Sequence, residues 1–100
     1  MTRRDDEDDY LPDEVDLPID GTLDLHSFRP QDVPSVVSEY LDECRARGIL
    51  EVRIIHGKGI GTLRETVHAV IARRTDVVRS RLDSETGSGW GATIVDLAPR

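Results

Sequence analysis

Apolar residues recur along the chain with two different periods, one helical and one extended. From Val33 they fall at Val33, Val36, Val37, Tyr40, Leu41 and Cys44, the spacing of a single buried helix face. Asp32 is placed to cap this helix, Pro34 is tolerated in its first turn, and Gly48 ends it. A second helix is predicted from Thr62, with Leu63, Val67, Val70 and Ile71 as its apolar face. Glu65, three residues after Thr62, completes the pattern of a capping box. Residues 22–26 alternate around Leu23 and Leu25, and residues 50–55 (LEVRII) are rich in β-branched side chains, so both read as strands. Two more strands are expected at Val77–Leu82 and Ala92–Leu97, joined by residues 83–91. The order is β-α-β-α-β-β. Strands one and two, joined by a crossover helix, should run parallel. The expected fold is a two-layer α/β sandwich of the α+β kind, with a mixed four-stranded sheet and both helices on one face.

Composition narrows the possible functions. One hundred residues hold one small domain, too little for a polymerase, a motor or a multi-domain enzyme. No apolar run approaches the roughly 20 residues of a transmembrane helix. The opening MTRRDDEDDY has no apolar stretch behind its arginines, so no secretory signal is expected. A single cysteine, Cys44, excludes an internal disulfide or a cysteine-built zinc site and is expected in the core. A cytoplasmic, monomeric protein with no membrane contact is the expectation. The net charge of −7 is uneven: residues 1–20 carry nine acids and two bases, whereas residues 21–100 carry eleven of each. Residues 1–20 therefore read as an acidic, disordered tail and residues 21–98 as a neutral domain.

Both of the first two strands end in histidine. If they are parallel, His26 and His56 lie on the same carboxyl edge, where open α/β sheets bind ligands. Asp24, two residues before His26, shares its strand face and can fix the imidazole tautomer and raise its pKa. His56 opens a turn, Gly57-Lys58-Gly59-Ile60-Gly61, whose alternating glycines let backbone amides approach an anion just ahead of a helix N-terminus. Lys58 is the only lysine among thirteen basic residues, a compact charge inside that turn. The run is neither G-x-x-x-x-G-K-[ST] nor G-x-G-x-x-G, since Thr62 stands at the last glycine's place. Trp90, in Gly87-Ser88-Gly89-Trp90-Gly91, either plugs a hydrophobic edge or stacks a base. Arg29, Arg64, Arg73 and Arg74 are candidates for phosphate contacts, and His68 reads as a partly exposed helix residue.

Taken together, Leu23-Asp24-Leu25-His26, His56-Gly57-Lys58-Gly59 with Leu63-Arg64, and Ser88-Gly89-Trp90-Gly91-Ala92-Thr93 resemble the small MutS-related (Smr) domain over about residues 21–98. The resemblance implies a fold like the C-terminal domain of bacterial translation initiation factor three. It also implies nuclease activity, described for the family as nicking of DNA and as cleavage of RNA, including messenger RNA on stalled ribosomes. The family's D-x-H motif falls on Asp24 and His26, and its H-G-x-G motif on His56, Gly57 and Gly59. Two positions depart from the pattern. Ser27 stands where glycine normally follows the first motif, which bears on how closely a phosphodiester can approach His26. Ser88-Gly89 replaces a double glycine. Such domains often occur fused behind a MutS-like ATPase; no part of this sequence resembles one, and no mismatch recognition is expected.

The expected activity is metal-independent RNA cleavage without a cofactor. One imidazole takes the ribose 2′-OH proton and the other protonates the leaving 5′-oxygen. Asp24 orients His26, and Lys58 with the amides of Gly57 and Gly59 holds the phosphate. Gly61, Arg64, Gly89 and Trp90 complete the expected nucleic-acid contacts. Which histidine is acid and which is base stays open at this point. Two alternatives stand beside this one. DNA nicking must use water as nucleophile, and a divalent metal could then assist. A non-catalytic module would bind nucleic acid or the ribosome on the same rim.

Overall fold

The computed structural model describes residues 19–57, 61–83 and 91–100. Its elements are β1 (Thr22–Asp24), α1 (Val33–Ala46), β2 (Glu51–Ile55), α2 (Thr62–Ala72), β3 (Val77–Leu82) and β4 (Ala92–Leu97), with a short 3-10 turn over Pro30–Asp32 ahead of α1. The first two strands pair in parallel, Leu23 beside Ile54 and Asp24 beside Ile55. β4 lies antiparallel to both β2 and β3, so the strand order is β1-β2-β4-β3. This is the α+β fold with a mixed four-stranded sheet that the sequence predicts.

Register decides which side chains make the core. Val52 stands opposite Val95 and Ile54 opposite Thr93. With Leu23 and Leu97 these positions form the buried side of the sheet, packed with Val33, Val37, Leu41 and Cys44 of α1 and Val67 and Ile71 of α2. Removing this much apolar surface from water is the main driving force for folding. Burial also pushes the Cys44 thiol pKa up. Tyr40 ties α1 to the start of β1: its hydroxyl accepts from Gly21 N at 3.2 Å and donates to the Thr22 carbonyl at 3.0 Å. The opposite side of the sheet is charged. There Arg53 Nε donates to Asp83 Oδ2 at 2.6 Å, and Arg79 and Arg81 reach Asp96 at 2.7 and 3.0 Å.

Three local expectations are corrected. β1 stops at Asp24 because the chain turns through His26 and Ser27, with Phe28 N donating to the Leu25 carbonyl at 3.0 Å. Leu25 N still donates to Ile55 O at 3.0 Å, so one ladder bond continues past the strand. Asp32 gives α1 no side-chain cap; its carboxylate turns back to Arg29 Nε at 3.2 Å, and the 3-10 turn leads into the helix instead. Nor does Thr62 form a capping box: it is the first residue of α2, and the cap is Gly61, at φ +79°. A left-handed glycine can serve there where a β-carbon would be strained. Its carbonyl accepts from Glu65 N at 3.0 Å. Among the described residues no helix is long and apolar enough to cross a membrane. The acidic run of residues 1–18 lies outside the described residues.

Candidate functional site

At the carboxyl end of β1, one carboxylate oxygen organises a histidine. Asp24 Oδ1 accepts from the backbone amide of His26 at 3.0 Å and lies 2.8 Å from its ring Nδ1. The carboxylate can only accept, so Nδ1 carries the proton and the Nε2 lone pair is left for a substrate. His26 is exposed over 83% of its side chain and Asp24 over 48%. The His26 amide, then its ring, hold the Asp24 carboxyl below the ordinary carboxylate range.

The end of β2 is built differently. His56 continues the buried parity of Val52 and Ile54 and is only 7% exposed. Its backbone is fixed by Gly91, whose carbonyl accepts from His56 N at 2.9 Å and from Gly57 N at 2.8 Å. Its ring is held on both nitrogens: Nδ1 lies 3.1 Å from the Gly57 carbonyl and Nε2 lies 2.8 Å from Thr93 Oγ1. Thr93 is fully buried, and its hydroxyl also lies 3.1 Å from Nε2 of His68 on α2. The two imidazoles meet edge to face, with centroids 6.5 Å apart at 82°. Burial lowers the His56 pKa, and the nearby His68 and Arg64 charges act in the same direction against the raising effect of the Gly57 bond.

Parallel pairing therefore brings His26 and His56 to one edge of the sheet, where His56 is buried and His26 is exposed. His56 faces the helices, whereas Asp24 stands beside Ile55 on the charged side. Gly57, at φ +85°, turns the chain away from β2. Gly61 marks the start of α2, and Arg64 lies in the first turn of that helix, where its charge reaches His56. Lys58, Gly59, Gly89 and Trp90 lie outside the described residues. Arg74 is corrected as a phosphate contact: Asp42, Asp76 and Ser38 already hold its guanidinium, at 2.7 to 3.2 Å, and only 13% of the side chain is exposed. Arg29 pairs through Nε with Asp32 at 3.2 Å and keeps 74% of its side chain exposed. Among the described residues, no three His, Cys, Asp or Glu side chains converge to hold a metal ion.

Two residues that sequence reasoning passed over, Thr93 and His68, complete the surroundings of His56. A signal was present. Thr93 shares the alternation of Val95 and Leu97, and a hydroxyl on a core face needs a partner. His68 lies one helical turn beyond Arg64, on the same side of α2.

Comparison with known proteins agrees with this fold. The family model of the Smr domain matches residues 23–98. Endonuclease MutS2 of Halothermothrix orenii is 38% identical over 79 residues, which is 79% of this chain and 10% of that protein. Endonuclease MutS2 of Clostridium botulinum is 35% identical over the same length. The chain thus spans about a tenth of the curated relatives it matches. The crystal structure of the Smr domain of Thermus thermophilus MutS2 superposes with a TM-score of 0.72 at 31% identity, covering 78% of this chain and 98% of that one. YdaL, a stand-alone small MutS-related protein from Escherichia coli, shares the fold with a TM-score of 0.74 at 24% identity, covering 86% of this chain and 70% of that one.

Proposed function

The chain belongs to the Smr domain family, and from that premise and the geometry of the sheet edge we propose that it is an RNA endonuclease using the ribose 2′-OH as nucleophile. The observation that carries this reading is the exposed Asp24–His26 pair at 2.8 Å. With Nδ1–H directed to Asp24, Nε2 of His26 is the general base for the 2′-OH proton. His56, at the end of β2, supplies the proton of the leaving 5′-oxygen from Nδ1, on the side of the exposed Gly57 turn, as a second proton reaches its Nε2. Lys58 and the amides of Gly57 and Gly59 stabilise the phosphoryl charge, and Arg64 and the start of α2 add to it. Gly89 and Trp90 contribute a contact to the strand. Proton transfer between two imidazoles accounts for the reaction without a metal, because the nucleophile belongs to the substrate. The names of the relatives, endonucleases, support phosphodiester cleavage. The substrate class, RNA and in particular messenger RNA on stalled ribosomes, rests on the family resemblance. The active unit in this reading is a monomeric cytoplasmic domain of residues 21–98, behind an acidic segment of residues 1–20.

A second reading has its own support. Ser27 in the turn beside His26, and the two internal bonds of the His56 ring, suit a module that binds nucleic acid without cutting it. Matched single-stranded RNA and DNA oligonucleotides, with and without EDTA, separate the readings when tested on wild type and His26→Ala protein. The proposal expects RNA alone to be cut, with EDTA harmless and the variant inactive. EDTA-sensitive nicking of DNA moves the assignment to a water nucleophile. Binding of either strand without cutting leaves the recognition module.

A further inference from the structure

We infer that His68 is the outer end of a proton relay, His68 Nε2–Thr93 Oγ1–His56 Nε2, that joins the buried His56 to solvent. The inference rests on the reading of His56 as a proton donor, and it assigns His68 and Thr93 as positioning residues of that group.

Hydrogen-bond chemistry fixes the direction of the chain. The Gly57 carbonyl only accepts, so His56 Nδ1, 3.1 Å away, carries a proton. A neutral His56 then has a bare Nε2. Thr93 Oγ1, 2.8 Å from that nitrogen, must donate its hydroxyl hydrogen to it. The lone pairs of Oγ1 are left to accept from His68 Nε2–H at 3.1 Å. Every donor meets one acceptor, and the links run from an exposed histidine to a buried one. Burying a threonine hydroxyl in a sheet core without partners would be costly, and two imidazoles satisfy this one. On its outer side His68 lines a groove of about 390 Å³ between α2 and β3, which Arg74, Arg79 and Ser80 also border.

This chain can restore the proton that His56 loses. Once His68 has taken a proton from water, its Nε2–H passes to Thr93 Oγ1 while the threonine hydroxyl proton passes to His56 Nε2. The Nδ1–H of His56 leaves to the 5′-oxygen as the P–O5′ bond breaks and the bond from the 2′-oxygen to phosphorus forms. Three protons each move one place, and His68 ends neutral. His56 ends as the Nε2–H tautomer; gaining a proton at Nδ1 and releasing one through the relay resets it. Among the described residues, Arg64 and His68 face His56 from α2, β4 contributes the uncharged Thr93, and Arg74 and Arg79 border the groove by His68.

Imidazole ¹⁵N spectra of the full chain, which has three histidines, test the relay independently of cleavage. Wild type should show His56 as the Nδ1–H tautomer. His68→Gln keeps an N–H donor but cannot carry the proton, and removing a charge 6.5 Å away should raise the His56 titration midpoint by at least about half a pH unit. Thr93→Val should displace the His56 Nε2 resonance and uncouple its titration from that of His68, while Thr93→Ser should restore both. On RNA, His68→Gln should lower kcat about tenfold with KM unchanged, flattening one limb of the pH profile. His56 resonances and midpoint that stay at their wild-type values in both His68→Gln and Thr93→Val overturn the relay, whether or not the protein cuts RNA. A wild type that cuts no RNA yet shows the spectral coupling overturns the nuclease reading and leaves the relay standing.

Discussion

One oxygen of Asp24, Oδ1, holds His26 twice, accepting from its backbone amide at 3.0 Å and from ring Nδ1 at 2.8 Å. The first contact fixes where the residue leaves β1, and the second fixes which ring nitrogen is free. Asp24→Ala removes both and should reduce RNA cleavage by about ten- to a hundredfold, below most of what a general base supplies because His26 itself remains. Asp24→Asn keeps an oxygen acceptor and should retain more activity than alanine. Initial rates of the two variants check this; equal activity in wild type and Asp24→Ala would remove Asp24 from the mechanism.

Stability should fall with acid in two separate windows. The folded protein binds a proton at His56 less readily than the unfolded chain does, because the ring is buried. The contribution is therefore complete above the unfolded value of about 6.5 and is lost as pH falls through the lower folded value. Asp24, Asp76 and Asp96 are also held below their ordinary value of 3.8 by their partners. Their contribution is present above that value and is lost on further acidification. Urea midpoints at about pH 7.5 and about pH 5.5 should differ in wild type and converge in His56→Gln. An unchanged difference in the variant would assign the first window to another group.

Arg74 stitches α1 to the segment before β3. Its guanidinium donates to Asp76 at 2.7 and 2.9 Å, to Asp42 at 2.7 Å and to the Ser38 carbonyl at 3.1 Å. With only 13% of Arg74 and 10% of Asp76 exposed, Arg74→Met should cost about 2–3 kcal/mol, since it strands a largely buried carboxylate. Arg45, 3.4 Å from Asp76, limits the loss. Lysine cannot reproduce the fork and should recover only part of it. Denaturant unfolding measures both variants, and a loss below about 0.5 kcal/mol for methionine would show the cluster to be a surface network of the weak kind.

Gly57 separates backbone strain from crowding. A β-carbon there would meet none of the described residues within 4 Å, but φ is +85°. Gly57→Ala should therefore cost about 1–2 kcal/mol through the left-handed backbone alone. For a domain of this size each kcal/mol lowers Tm by about 4–8 °C. Thermal unfolding tests this, and an unchanged Tm would mean that the turn relaxes freely.

The elements were legible in the sequence because periodicity reports burial. The face from Val33 to Cys44 and the alternation of residues 50–55 each have one buried side. The helix starts were legible but their capping chemistry was not, because a cap depends on backbone conformation. Asp32 and Thr62 have suitable side chains, yet a 3-10 turn and a left-handed Gly61 do the work. At the candidate site, the sequence reveals that β1 and β2 end in histidines and that parallel pairing puts them on one edge. It does not reveal that His56 is buried while His26 is exposed, which depends on where each chain leaves its strand. Local spacing pairs Asp24 with His26, whereas Thr93 and His68 reach His56 from 37 and 12 positions away in the chain. Only the register of β4 and the placement of α2 bring those three together.

The central claim is that the 2′-OH of RNA is the nucleophile, with His26 as its base. The most direct measurement is the chemistry of the product ends after incubation of the protein with an RNA oligonucleotide. A 2′,3′-cyclic phosphate facing a free 5′-hydroxyl, absent with His26→Ala and absent when the nucleotide 5′ of the cut carries a 2′-deoxyribose, is the predicted result. A 5′-phosphate facing a 3′-hydroxyl would mean that water attacks phosphorus, and would contradict the mechanism.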